Sequence, residues 1–247
     1  MTKTSILIPS RLNAKRLPSK PLLKINGISI IQHVYHRAKE SKVGEVIVAT
    51  GDKEIAEEIK SIKGEVILTK KNHLTGTDRI YEALEILDNK NKPDYVINLQ
   101  GDEPFISPDD IFNLNKYVIE NKSKIGTLAH NIKDKKVLKN KNIVKVKTEK
   151  DLKKIKFSKA LKFFRDCSKL NTINLFQHIG IYQYKMSTLS KYVNLKQSKN
   201  ELKYSLEQYR AIDNNIFIDV VLAKKMSIGI DTMDEYVEIK KIMEYKS

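Results

Sequence analysis

The chain holds one cysteine, Cys167, in 247 residues. A single thiol excludes an intrachain disulfide and any Cys-rich zinc site. A reducing, cytoplasmic setting is the simplest expectation. No apolar run approaches the roughly 18 residues of a membrane span, so membrane insertion is not expected. Met1-Thr2-Lys3-Thr4 leads straight into a strand-like run, and no signal peptide is expected. Glycine and proline are few, 9 and 6, and nowhere form a linker. There is no internal repeat and no low-complexity tract. A single domain over 1–247 is therefore expected.

Arginine is scarce too. Of 46 Lys and Arg residues, only Arg11, Arg16, Arg37, Arg79, Arg165 and Arg210 are arginine. The formal net charge is +16, which raises the question of nucleic acid. The lysines are scattered along nearly every segment, with no concentrated block beside aromatics. No nucleic-acid partner is expected, although an anionic substrate is favoured. Where lysine suffices, this chain uses lysine. The remaining arginines are candidates for work that needs a planar, bidentate donor. Arg11, Arg16 and Arg79 lie in segments that look chemical for other reasons.

The patterning that is present alternates strand and helix. Ser5–Pro9, Glu45–Thr50, Glu65–Thr69 and Tyr95–Leu99 read as buried strands. Ile28–Ala38, a helix capped by Asp52 and running through Ile62, Thr77–Leu87 with Thr77 as cap, and Pro108–Ile119 read as helices. That order implies a doubly wound, mostly parallel α/β sheet of Rossmann-like type. The pattern then shifts. Ile125–Ala129, Ile143–Lys147 and Ile173–Tyr184 read as strands with less helix between them, a small antiparallel excursion over about 125–215. Glu201–Ile212 reads as one helix, Lys225–Ile230 as a late strand and Thr232–Tyr245 as a closing helix.

Three segments look chemical. The loop Ser10–Pro21 after the first strand carries Arg11, Lys15, Arg16 and Lys20. At the carboxyl edge of a doubly wound sheet, such a loop is where ligands bind. Cations crowded there suit a triphosphate, which arginine grips bidentately and lysine meets as a point charge. It is not a Walker loop, so a P-loop NTPase is disfavoured. His73-Leu74-Thr75-Gly76-Thr77-Asp78-Arg79 places hydroxyls and free N–H groups before a helix, fit to read a base edge or phosphate, or to stand as an ordinary capped turn. Asn98-Leu99-Gln100-Gly101-Asp102-Glu103-Pro104 and Gly229-Ile230-Asp231-Thr232 each put a carboxylate after a strand-like run. Asp102 and Asp231 could meet at one sheet edge and hold Mg²⁺ with phosphate oxygens and waters. Alternatively, Asp102 is a solvated turn and Asp231 the cap of the last helix.

Together these motifs resemble the 3-deoxy-manno-octulosonate (Kdo) cytidylyltransferases, within the nucleotide-diphospho-sugar transferase fold. The resemblance is carried by Pro9-Ser10-Arg11, Arg16-Leu17-Pro18-Ser19-Lys20-Pro21-Leu22, Thr75–Arg79, Asn98–Pro104, Gln177–Tyr182, Leu206–Arg210 and Gly229–Thr232, in order across nearly the whole chain. It implies transfer of CMP from CTP to Kdo with release of pyrophosphate, for lipopolysaccharide biosynthesis. The alternative is a related sugar acid, an amino-substituted Kdo or a nonulosonate. It implies Arg11, Arg16 and Lys20 on the triphosphate and Thr75, Gly76 and Thr77 around cytosine. Asp102 and Asp231 would hold Mg²⁺, with Asp102 also beside the nucleotide. Gln100, His178, Tyr182, Glu207 and Gln208 would contact the sugar acid, and His178 would orient it rather than act as a base. A homodimer is implied as well. One departure stands out. Where the family has Phe-Ser-Arg followed by a proline-containing loop, this chain has Phe157-Ser158-Lys159 and no proline, which leaves Lys159, or Arg165 six residues on, to meet the sugar carboxylate.

Overall fold

The computed structural model describes residues 2–13, 16–87, 92–167 and 171–245. Ala14 and Lys15 of the basic loop lie outside them. In chain order the elements are β1 Thr4–Ser10, β2 Lys24–Ile25, β3 Ile28–Ser29, α1 Ile30–Glu40, β4 Glu45–Thr50, α2 Lys53–Ser61, β5 Glu65–Leu68, α3 Gly76–Ile86, β6 Tyr95–Asn98 and α4 Pro108–Glu120. There follow β7 Ile125–Asn131, β8 Lys145–Thr148, α5 Leu152–Ile155, β9 Phe157–Phe164, β10 Leu175–Lys185, α6 Met186–Val193, α7 Lys199–Tyr204, α8 Gln208–Asp213, β11 Ile218–Leu222 and α9 Met233–Glu244. The chain divides into two compact units, residues 1–112 with 227–247, and residues 113–226.

The first unit is built on the parallel order β5-β4-β1-β6. Every residue of β1 is buried, as expected of a strand covered on both faces. All four strands point their carboxyl ends the same way. The loops after Ser10, Leu68 and Asn98 therefore gather at one edge, where such sheets bind ligands. Leu17, Ile25, Ile30, Ile230 and Ile239 form one buried cluster in this unit, which anchors both the basic loop and α9.

In the second unit β7 runs parallel to β11, while β10 is antiparallel to β7 and β8, and β9 is antiparallel to β11 and β8. The antiparallel pairings expected of the later chain are found here. In β10 the register jumps from Ile179↔Leu128 to Tyr182↔Thr127, leaving Gly180 and Ile181 without partners on β7. Two surplus residues keep His178 and Tyr182 on one face and shorten the path between them. Their ring centroids lie 5.4 Å apart, where a regular strand would separate residues four apart by about 13 Å.

Four expectations are corrected. Thr75, not Thr77, caps α3 through a reciprocal box with Asp78, each bond 3.1 Å. The carboxylate of Asp52 does not cap α2. It accepts instead from the Leu12 N–H at 2.9 Å, tethering the basic loop. The helix expected over 201–212 is two, α7 and α8, broken where Ser205 turns left-handed at φ 51°. Residues 225–230 form no strand. The late strand is β11, built on the more continuous apolar run Ile216–Leu222.

Candidate active site

At the carboxyl edge of the first unit lies a cleft of about 480 Å³. Arg11, Arg16 and Lys20 of the first loop line it, with Thr75 and Gly76 of the second motif. Gln100, Asp102 and Asp231 complete the set of candidate residues in its wall. The packing explains the convergence. Leu17 and Ile230 belong to one buried apolar cluster, and their chain neighbours Arg16 and Asp231 meet in an ion pair. Ser19 adopts φ 54° and its N–H closes the loop onto the Leu12 carbonyl at 3.0 Å. Lys20 thereby enters the cleft. The N–H of Ile230 donates to the carbonyl of Asp102 at 2.9 Å, joining the two acid-bearing segments directly.

Lys20 is the centre of the charge arrangement. Its ammonium lies 2.6 Å from Asp102 Oδ2 and 3.1 Å from Asp231 Oδ1. Burial works against its charge, but Asp102 and then Asp231 outweigh burial and hold its pKa above the ordinary lysine value. Arg16 Nη2 takes the other oxygen of Asp231 at 2.7 Å. Both partners of that pair are about half exposed, so it is worth only about 0–1 kcal/mol. A multiply charged anion can draw Arg16 away at little cost. Beside Asp102, burial and then the Asp102 charge raise Glu103 to about 7, against a hydrogen bond from Ser227.

The second motif plays two parts. Thr75 and Gly76 line the cleft, and a Cβ at Gly76 would press on Pro9 Cγ at 3.0 Å. Thr77 is buried behind them, receiving a long hydrogen bond from Asn98 Nδ2 at 3.4 Å. Arg79 also lines the cleft, but its guanidinium is committed to Thr69 Oγ1 and the carbonyls of Lys70 and Lys71, at 2.7, 3.0 and 2.9 Å. It shapes the wall. No sequence signal separated this clamp from a phosphate-binding arginine. Leu17 was hidden in the same way, as one apolar residue among cations.

In the second unit His178, Tyr182, Glu207 and Gln208 are brought into one neighbourhood. His178 Nε2 is 2.9 Å from Thr127 Oγ1, and its ring meets Phe163 edge-on. Burial alone lowers its pKa to about 3, so the ring is neutral at neutral pH. Burial, then Tyr184 and Glu207, push the Tyr182 phenol well above its usual value. Tyr192 donates to the Glu207 carbonyl at 2.9 Å.

Lys159 does not join this group. The register rows Ser158↔Val220↔Thr127 and Lys159↔Asp219↔Gly126 lie on opposite faces of the sheet, because successive residues alternate. His178 sits with Thr127, whereas Lys159 lies over the Phe217 ring at 3.2 Å from its centroid. Arg165 spends its guanidinium on three main-chain carbonyls, Lys141 at 3.1 Å, Tyr204 at 3.2 Å and Ser205 at 2.8 Å. It holds the break between α7 and α8, two residues before Glu207.

Asp102 and Asp231 are the residues able to hold a hard cation. No group of three His, Cys, Asp or Glu among the described residues has a metal-binding arrangement. Two carboxylates converging on one point suit an ion that takes its remaining oxygens from phosphates and water.

A family model for cytidylyltransferases matches residues 5–227. Over 241 residues, 98% of each chain, the sequence is 36% identical to the 3-deoxy-manno-octulosonate cytidylyltransferase of Bartonella bacilliformis. The chain belongs to the 3-deoxy-manno-octulosonate cytidylyltransferase family. It is 37% identical to the cytidylyltransferase of the same name from Afipia carboxidovorans, over 97% of this chain and 96% of that one. Among solved structures, a CMP:2-keto-3-deoxy-manno-octonic acid synthetase complexed with CTP superposes with a TM-score of 0.90 at 32% identity, covering 100% of both chains. A UDP-glucose pyrophosphorylase complexed with UDP-glucose, at 15% identity and TM-score 0.72, shows the fold alone. This cytidylyltransferase is thus a nucleotidyltransferase with a mostly parallel α/β architecture. No helix among its described residues is long and apolar enough to cross a membrane.

Proposed function

We propose that this enzyme transfers CMP from CTP to Kdo, giving CMP-Kdo and pyrophosphate. The observation that carries the reading is the meeting of Lys20, Asp102 and Asp231 at the sheet edge, inside a cleft that Arg11 and Arg16 also line. Cations gathered on one wall, with two acids among them, suit a nucleoside triphosphate bound with a divalent cation.

Arg11, Arg16 and Lys20 would bind the triphosphate, Arg16 by exchanging its weak pair with Asp231 for a phosphate oxygen. Thr75 and Gly76 would line the base, with Thr77 supporting them from behind. Asp102 and Asp231 would hold Mg²⁺, which when bound supplies charge stabilisation to phosphate oxygens. The anomeric hydroxyl of Kdo attacks the α-phosphorus. A new P–O bond forms, the bond to the bridging oxygen breaks, pyrophosphate leaves and the hydroxyl proton passes to solvent. Lys20 and the arginines stabilise charge on the leaving oxygens, and no protein nucleophile is required.

Gln100, His178, Tyr182, Glu207 and Gln208 would contact the sugar acid. A histidine with a pKa near 3 is a poor base at neutral pH, which supports a role in hydrogen bonding and orientation. From the family resemblance we further infer a cytoplasmic homodimer whose product feeds lipopolysaccharide synthesis. The test is pyrophosphate release with Mg²⁺, each of CTP, ATP, GTP and UTP, and a panel of sugar acids. CTP with Kdo should be the preferred pair. Preference for an amino-substituted Kdo or a nonulosonate would reassign the acceptor.

A further inference from the structure

Asp231 stands on a segment that no strand ladder holds, since residues 226–231 are irregular. Its position therefore depends on a few individual ties. One is the bond from the Ile230 N–H to the Asp102 carbonyl. A second comes from Glu103, whose carboxylate accepts from the Ser227 hydroxyl. The same carboxylate lies against the backbone at Gly229, where a Cβ would come within 3.2 Å of Glu103 Oε1. One partly buried side chain, next in sequence to Asp102, thus grips the segment leading to Asp231. The first tie fixes a point and the second fixes an orientation.

We propose that Glu103 is a positioning residue that sets the spacing of Asp102 and Asp231 for a divalent cation. This rests on the reading of those two acids as metal ligands. Burying a carboxyl group costs free energy that an apolar side chain of similar volume would not. The bond to Ser227 and the close approach to Gly229 show that the group is used to connect two segments and not merely to fill space. Groups that orient metal ligands typically change metal affinity by about 10- to 100-fold when removed.

The test is Mn²⁺ binding followed by electron paramagnetic resonance in the presence of CTP and absence of sugar acid. It compares the wild type with Glu103→Ala, Ser227→Ala and Glu103→Gln. The two alanine variants should bind Mn²⁺ about 10- to 100-fold more weakly. Their affinity for CTP in EDTA should be unchanged. Glu103→Gln keeps an acceptor for Ser227 and should recover most of the loss. Wild-type Mn²⁺ affinity in both alanine variants would overturn the proposal. Equal loss of metal and metal-free CTP binding would also overturn it, as the mark of general damage. If Glu103→Ala fails to fold, Ser227→Ala decides by the same criteria. A wild type that takes up no Mn²⁺ with CTP would overturn the metal reading itself, a result distinct from unaffected variants.

Discussion

Lys20 Nζ and Asp102 Oδ2 lie 2.6 Å apart in a cleft wall, and the same ammonium reaches Asp231. The residues come from positions 20, 102 and 231, and three separate packing events bring them together. The buried cluster that Leu17 shares with Ile230, the Ser19 turn closed on Leu12, and the bond from Ile230 to Asp102 each supply one.

Asp102→Asn and Asp231→Asn should each lower turnover by about a hundredfold or more, the scale on which lost transition-state charge stabilisation is measured. Thermal melting should stay close to wild type. Steady-state rates across magnesium concentrations check this. Near-normal activity at limiting magnesium would remove that residue from the site.

Arg16→Ala should weaken use of CTP by about 1.5–3 kcal/mol, the range for a lost charge-assisted hydrogen bond. Saturation by Kdo should hardly move. A variant in which only Kdo saturation changes would take Arg16 off the triphosphate.

The two cations near the altered Phe-Ser-Lys segment should behave differently. Lys159 lies on the sheet face away from His178, so Lys159→Ala should leave the Kdo requirement within about twofold, in line with a surface change. Arg165→Ala frees the carbonyls of Tyr204 and Ser205 and should raise the Kdo requirement while sparing CTP. Kdo saturation curves for the two variants decide. A large effect at Lys159 with none at Arg165 would reverse the assignment.

The first unit was legible because buried parallel strands read as continuous apolar runs. Ser5–Pro9 and Tyr95–Leu99 were found within one residue or so, and the loops after them carried the cleft residues. The second unit was harder. Strand β9 is rich in lysine and its register with β8 slips between Lys147 and Thr148, which blurs the alternation. The closeness of His178 to Tyr182 comes from a bulge that no spacing rule shows. The break at Ser205 is held by Arg165 from 40 residues away. Lys159 matches the family position in sequence, yet its face is fixed only by pairing with Asp219.

His178 makes stability depend on pH. Its folded pKa, near 3, is below the ordinary 6.5. Its contribution is complete above pH 6.5 and is lost as pH falls, because the unfolded chain takes a proton that the folded one refuses. Between pH 7 and 5 wild type should lose about 2 kcal/mol more than His178→Gln. Urea denaturation at the two pH values measures this, and equal losses in both proteins would show that the folded histidine titrates normally.

The most direct measurement is a ³¹P NMR time course with CTP, Kdo and Mg²⁺. Consumption of CTP should produce a phosphodiester signal from CMP joined to the sugar acid, and pyrophosphate in equal amount. Pyrophosphate accompanied by free CMP throughout, or CTP left intact, would contradict transfer to Kdo.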